Sequence, residues 1–238
     1  MTKRTLDTVR QEAFAGRMMD TLNAGATCML VSIGHRTGLF DTMAQLPPST
    51  CEQVAAAAAL HERYVREWLA GMVVSRVVEY DAETQTYHLP PEHASILTRS
   101  ATPNNLAVYG QYFGVLGGIE DRIVECFRTG DGVPYEAYNR FHEVMAEDSG
   151  QTVLPVLLDQ ILPLAPGLVD RMKQGIEVLD IGCGAGRAIN MMAAAFPKSR
   201  FLGLDLSKEG IELARQEAAR LRLTNARFEV KDLTDFEV

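Results

Sequence analysis

The sequence is poor in cysteine and has one tryptophan. Its four cysteines, Cys28, Cys51, Cys126 and Cys183, stand far apart, with no pair at CxxC spacing. That excludes a zinc ribbon or a disulfide framework and favours a reducing, cytoplasmic compartment. No apolar run approaches a membrane span. The longest near the N-terminus, AGATCMLVSI, is closed by Gly34, His35 and Arg36. The opening residues, MTKRTLDTVRQEAF, lack the apolar centre of a signal peptide. Basic residues are in deficit, 23 Lys and Arg against 31 Asp and Glu, for a net charge of −8. General affinity for nucleic acid or for an anionic membrane is therefore not expected. What is present is a chain of 238 residues, 47% of them apolar, enough for one large or two small domains.

Three regions have different grammars. Residues 1–100 read as helical and winged-helix, 101–168 as a helical connector, and 169–238 as part of a parallel sheet. Residues 5–46 are helical in pattern. Ser49 and Thr50 each precede Glu52 and Gln53 by three residues, two overlapping capping-box options for a short helix through Leu60. In the next helix, ERYVREWLAGMVVS, Val65, Leu69, Met72 and Val73 are spaced for one buried face. VVEYD and QTYHL then form a hairpin about a turn at 81–84. Helix, helix, hairpin is the plan of a winged helix. Residues 104–162 are again helical, broken at Gly117–Gly118 and at TGDGVP. From Val169 the pattern alternates: EVLDI, a helix ending at Phe196–Pro197, RFLGLDL, a helix capped by Ser207 with Ile211, Ala214, Ala218 and Leu221 on one face, then ARFEVKD. Alternation of this kind implies a parallel sheet and an α/β fold class.

The stretch VLDIGCGAGRA, residues 178–188, is the chemical centre of the sequence. Parallel sheets bind ligands beyond the carboxyl ends of their strands. Asp180, Asp205 and Asp232 stand at or near three such ends. A dinucleotide fingerprint would be GxGxxG, but Gly182, Gly184 and Gly186 are spaced GxGxG, with arginine at 187. Asp180 would also stand close to a pyrophosphate and repel it. No GK[ST] follows, so a phosphate-binding P-loop is excluded. A cationic ligand without phosphate fits better. S-adenosylmethionine carries an ammonium that suits Asp180. Gly182 and Gly184 let backbone pass close to a ligand. Asp205 can accept both ribose hydroxyls, and Asp232 the adenine amine, with Leu233 on the ring edge.

VLDIGCGAGRA, FLGLDLS and FEVKDL, in that order and spacing, resemble the first three motifs of the class I S-adenosylmethionine-dependent methyltransferases. The resemblance covers residues 170–238. It implies a Rossmann-like sheet and adds Cys183, Gly186 and Leu206 to the cofactor contacts. RFHEVMAEDS adds a second signal. Phe141, Met145 and Ser149 share one helical face, similar to the Phe–Met–Ser spacing of small-molecule O-methyltransferases with an N-terminal winged helix. In those enzymes this helix packs over the cofactor; an ordinary core stripe is the competing reading.

The resemblance also implies that the winged helix pairs with its twin in a homodimer and walls the pocket of a small-molecule methyl acceptor. Charge speaks against DNA binding: residues 1–100 carry nine Lys and Arg against eleven Asp and Glu, and Glu62 and Glu67 flank Arg63 and Arg66. No catalytic base is identified. His142, the histidine nearest the motif, is turned partly aside by Phe141 and Met145, and no metal site is read. A class I core has seven strands, ordered 3-2-1-4-5-7-6. Only strands one to three are found before Val238, so an incomplete chain is expected, with strand one as an exposed apolar edge. The alternative reading is a winged-helix regulator that binds S-adenosylmethionine without turning it over; the acidic wing disfavours it.

Overall fold

The structure is a computed structural model that describes residues 6–232. The chain divides into two compact units, Met1–Phe141 and His142–Val238.

The first unit opens with a long helix, α1 (Thr8–Thr37), started by Asp7, whose side chain accepts from the Arg10 amide, and stopped at Gly38 with φ +74°. A left-handed stop of this kind is glycine's usual place, and it splits the expected helical stretch into α1 and α2 (Leu39–Met43). Helix α3 (Cys51–Ala58) begins with the Thr50–Gln53 capping box, one of the two options in the sequence. Then come α4 (Glu62–Val74) and the antiparallel wing of β1 (Glu79–Asp81) and β2 (Thr86–His88). Two backbone hydrogen bonds between Ser49 and Tyr87 extend the wing by one more bridge. Helix α5 (Pro91–Leu97), with proline in its first turn, was not anticipated from the pattern. Helices α6 (Gln111–Gly117) and α7 (Glu120–Thr129) follow, and α8 (Phe141–Thr152) runs across the division between the units.

Val65, Leu69 and Met72 of α4 are buried as their spacing requires, against Leu39, Phe40 and the carboxyl half of α1. Phe40 and Trp68 meet edge-on with ring centroids 5.3 Å apart, a favoured aromatic geometry. The Trp68 indole N–H donates to the Leu30 carbonyl at 2.8 Å. Gly34 is what lets α1 lie this close: a Cβ there would fall 2.5 Å from the Trp68 ring. The amino half of α1 is different. Phe14 and Leu22, on one face with Met18, are 55% and 62% exposed.

The second unit holds α9 (Leu168–Gln174), β3 (Glu177–Ile181), α10 (Arg187–Ala195), β4 (Arg200–Asp205), α11 (Lys208–Arg220) and β5 (Ala226–Val230). The strands form one parallel sheet in the order β3-β4-β5. The second strand of the motif series is therefore central, as the class I order requires. One face is sealed by α10 and α11 through Phe201, Phe228, Ile189 and Ile211. Leu179 and Ile181 of β3 remain 46% and 53% exposed. Leu221, expected on the buried face of α11, is instead 39% exposed, because the helix ends at Arg220 and Leu221 is its cap. The amino end of the sheet is tied by side-chain hydrogen bonds. Asn225 Nδ2 donates to the carbonyls of Ala193, Phe196 and Ser199 at 3.1, 3.2 and 2.9 Å. Ser199 Oγ donates to Met172 O and accepts from the Ile176 amide. Among the described residues, no single helix is long and apolar enough to cross a membrane.

Candidate functional site

The site is built at the carboxyl ends of β3 and β4. Leaving β3, the chain turns into α10 through three glycines, all left-handed: Gly182 at φ +79°, Gly184 at +53° and Gly186 at +63°. They are needed for different reasons. Around Gly182 and Gly184 no heavy atom lies within 4 Å of the place a Cβ would take, so the turn presents bare backbone to open space. At Gly186 a Cβ would fall 2.5 Å from the Phe228 ring and 2.6 Å from the Ala214 methyl. That glycine packs the start of α10 onto the sheet and α11.

The turn is held from β4. The amides of Gly182 and Cys183 both donate to Leu204 O, at 2.8 and 3.0 Å. Asp205 Oδ2 accepts from the Gly184 amide at 2.7 Å, and Oδ1 from the Ser207 amide at 2.8 Å. Bonds from amides to an ionised acceptor are stronger than neutral ones. Asp205 is thus a strut of the turn, a role its position at a strand end did not reveal. Each carboxylate oxygen still has a lone pair to offer.

Asp180, half-buried near the end of β3, has no side-chain hydrogen bond among the described residues. Burial, and then the neighbouring Asp205 carboxylate, hold its carboxyl above the ordinary range. Two neighbouring carboxylates beside the glycine turn carry an electrostatic cost that a cation would relieve. Cys183 is no nucleophile at neutral pH. Burial first, then Asp180 and Asp205, push its thiol up to about 12. Its sulfur packs where a side chain on Gly203 would have to go.

The other sequence-derived positions fall as follows. Leu206 is exposed just beyond β4, and Asp232 is exposed two residues beyond the end of β5. Leu233 lies outside the described residues. Phe141 starts α8 among three tyrosines, with ring centroids 5.4 Å from Tyr135, 5.6 Å from Tyr138 and 6.4 Å from Tyr112. That cluster belongs to the first unit, whereas exposed Met145 and half-buried Ser149 belong to the second. His142 is exposed. The contact that sequence reasoning missed is Arg187, whose Nη1 donates to the Ala146 carbonyl of α8 at 2.6 Å. The two residues are 41 apart in sequence, and no local pattern joins them.

Comparison with known proteins gives two domain matches. Residues 25–99 match the Rv2258c-like winged HTH domain, and residues 172–238 match a methyltransferase domain. Among curated proteins, an uncharacterized protein of Rickettsia prowazekii, RP028, is 30% identical over 109 residues, covering 45% of this chain and 38% of that protein. The release factor glutamine methyltransferase of Koribacter versatilis is 36% identical over 77 residues, covering 32% of this chain and 25% of its own length. The chain thus spans well under half the length of these curated relatives. Among solved structures, human N-acetylserotonin methyltransferase in complex with S-adenosylmethionine aligns with a TM-score of 0.64 at 17% identity, covering 100% of this chain and 70% of that one. The mitomycin 7-O-methyltransferase MmcR aligns with a TM-score of 0.61 at 17% identity, over 97% and 69%. At such identities the likeness is one of fold.

Proposed function

Since the chain joins a winged helix-turn-helix domain to a methyltransferase domain, we propose that it is an S-adenosylmethionine-dependent methyltransferase acting on a small molecule. One observation carries the reading: Asp180 near the end of β3 and Asp205 at the end of β4 lie together beside an open glycine turn, a pair of carboxylates suited to a cationic ligand. The residues fit the cofactor. Asp180 faces its ammonium, and the spare lone pairs of Asp205 take the ribose hydroxyls. Gly182, Cys183, Gly184 and Gly186 provide the backbone cradle. Leu206, Asp232 and Leu233 serve the adenosine end, and Met145 and Ser149 of α8 flank it. When bound, S-adenosylmethionine would supply its sulfonium methyl carbon to an acceptor nucleophile, the carbon–sulfur bond breaking in line as neutral S-adenosylhomocysteine leaves. The chain's own contribution is to hold both partners in register and keep water away.

Isothermal calorimetry with S-adenosylmethionine and S-adenosylhomocysteine tests the reading directly. One saturable site for each is expected; a folded chain that binds neither would overturn it. Asp180→Asn sharpens the test. Because burial raises the Asp180 pKa, the native state resists ionisation more than the unfolded chain does. Above the ordinary carboxylate range that resistance costs stability, and below about pH 4 it vanishes, since both states are then protonated. The asparagine variant should therefore melt higher than wild type at neutral pH, with no difference in acid. Its affinity for S-adenosylhomocysteine should fall about thirtyfold, in line with a lost charge-assisted hydrogen bond. A variant that is less stable and still binds would show that Asp180 is merely structural.

The first unit, in this reading, is a scaffold for the acceptor pocket and for a homodimer. Residues 1–100 form the paired module, 101–168 connect it to the cofactor domain at 169–238, and nucleic acid and membrane are not partners. The four cysteines carry free thiols, consistent with a cytoplasmic setting. Support for pairing is the apolar face of Phe14, Met18 and Leu22 on the exposed half of α1, a surface type that marks association. Sedimentation should show a dimer for the wild type and a monomer for Leu22→Asp, with an unchanged helical spectrum. A wild type that sediments as a monomer removes this part of the proposal.

A further inference from the structure

Arg187 occupies the first position of α10, directly after the last glycine of the turn. Its Nη1 donates to Ala146 O, a carbonyl in the middle of α8. Four residues on from that carbonyl is Gly150. A Cβ at Gly150 would lie 2.9 Å from Nη1, 3.3 Å from Nη2 and 3.4 Å from Cζ of the same guanidinium. Glycine inside a helix is unfavourable relative to alanine. Here it opens a notch in α8 into which the guanidinium plane fits. Positions 146 and 150 share one line along the helix, and 145 and 149 lie one residue round from it. The arginine therefore grips α8 beside Met145 and Ser149. All of these residues belong to the second unit.

We propose that Arg187 is a positioning residue: from its seat at the glycine turn it docks α8, through the Ala146 carbonyl and the Gly150 notch, and so sets the placement of Met145 and Ser149 over the cofactor. The proposal rests on the reading of the turn as an S-adenosylmethionine site. Lysine cannot replace it, because a rounded ammonium does not match a flat notch and offers no planar fork.

The test is a double-mutant cycle with two readouts: hydrogen exchange of the α8 amides in the ligand-free chain, and calorimetry with S-adenosylhomocysteine. Arg187→Ala should speed exchange across residues 146–152 and weaken binding, each about tenfold, the lower end of what a lost charge-assisted hydrogen bond gives. Gly150→Ala should do the same in the wild-type background by displacing the guanidinium, although it leaves every charge in place. In the Arg187→Ala background, Gly150→Ala should no longer harm binding and should slow exchange, because alanine is the better helix former. Equal effects of Gly150→Ala in both backgrounds would overturn the notch, and unchanged exchange in Arg187→Ala would overturn the docking. A wild-type chain that fails to bind S-adenosylhomocysteine would sink the cofactor reading, while the exchange rates decide the docking by themselves.

Discussion

Asp205→Ala is expected to lower the affinity for S-adenosylhomocysteine by about a hundredfold or more and to destabilise the C-terminal unit as well. Two losses combine. The Gly184 and Ser207 amides each lose a charged acceptor, at 2.7 and 2.8 Å respectively. Hydrogen bonds to charged groups contribute about 1.5–3 kcal/mol each. The site is partly open, and water can take over one amide, so a net cost of about 2 kcal/mol is expected. The cofactor's ribose then loses its acceptor, and the turn that cradled it is no longer held. Asp205→Asn should be intermediate, since one amide oxygen can serve only one of the two N–H groups well. Calorimetric titration with parallel thermal melts separates the two losses. Wild-type affinity in Asp205→Ala would remove Asp205 from the binding site altogether.

Gly186→Ala should have the largest effect on stability of any single methyl group added in the turn. The left-handed conformation costs a non-glycine residue about 1–2 kcal/mol. The added Cβ also collides with the Phe228 ring and the Ala214 methyl, and overpacking of a filled core costs about 1–3 kcal/mol more. A loss of about 3 kcal/mol follows, measurable as an earlier urea midpoint. Gly182→Ala provides the contrast. Its φ is also positive, but the space beside it is empty, so only the conformational cost applies. Its methyl group would instead occupy the face offered to the ligand. Stability should fall steeply in the first variant and binding in the second. Equal melting temperatures for the two would contradict the different environments of the two glycines.

Much of the C-terminal unit could be read from the sequence, because its signals are local. EVLDI and RFLGLDL are apolar-rich runs with aspartate next to last, and a chain that alternates them with helices has few arrangements open to it. The Thr50–Gln53 box could be read in the same way, although choosing between it and the overlapping Ser49 option needed the backbone. Other features depend on distant neighbours. Helix α5 carried a legible sign, proline in the first turn, but its seven residues are too few to show a period. Phe141 shares the spacing of Met145 and Ser149, yet its ring settles among tyrosines from two other segments, which periodicity does not report. Leu221 obeys the period of α11 but falls where the helix stops. Arg187 reads in the sequence as a departure from a pattern, an arginine where a dinucleotide fold has glycine, and Gly150, inside a helix, carries no sign of a role. Only in three dimensions do they explain one another.

The hydrogen-bonded knot of Ser199 and Asn225 divides the sheet into ends with opposite tolerances. At the amino end Ser199 Oγ and Asn225 Nδ2 are held by backbone groups of neighbouring segments, so variants there remove protein and function together. At the carboxyl end Asp180 stands without such a partner, and altering it separates the two. A survey of variants that scored activity alone would mark both ends as essential. One that also scored abundance would find low protein at the knot and ample, inert protein for substitutions of Asp180, and would locate the site with no ligand in hand.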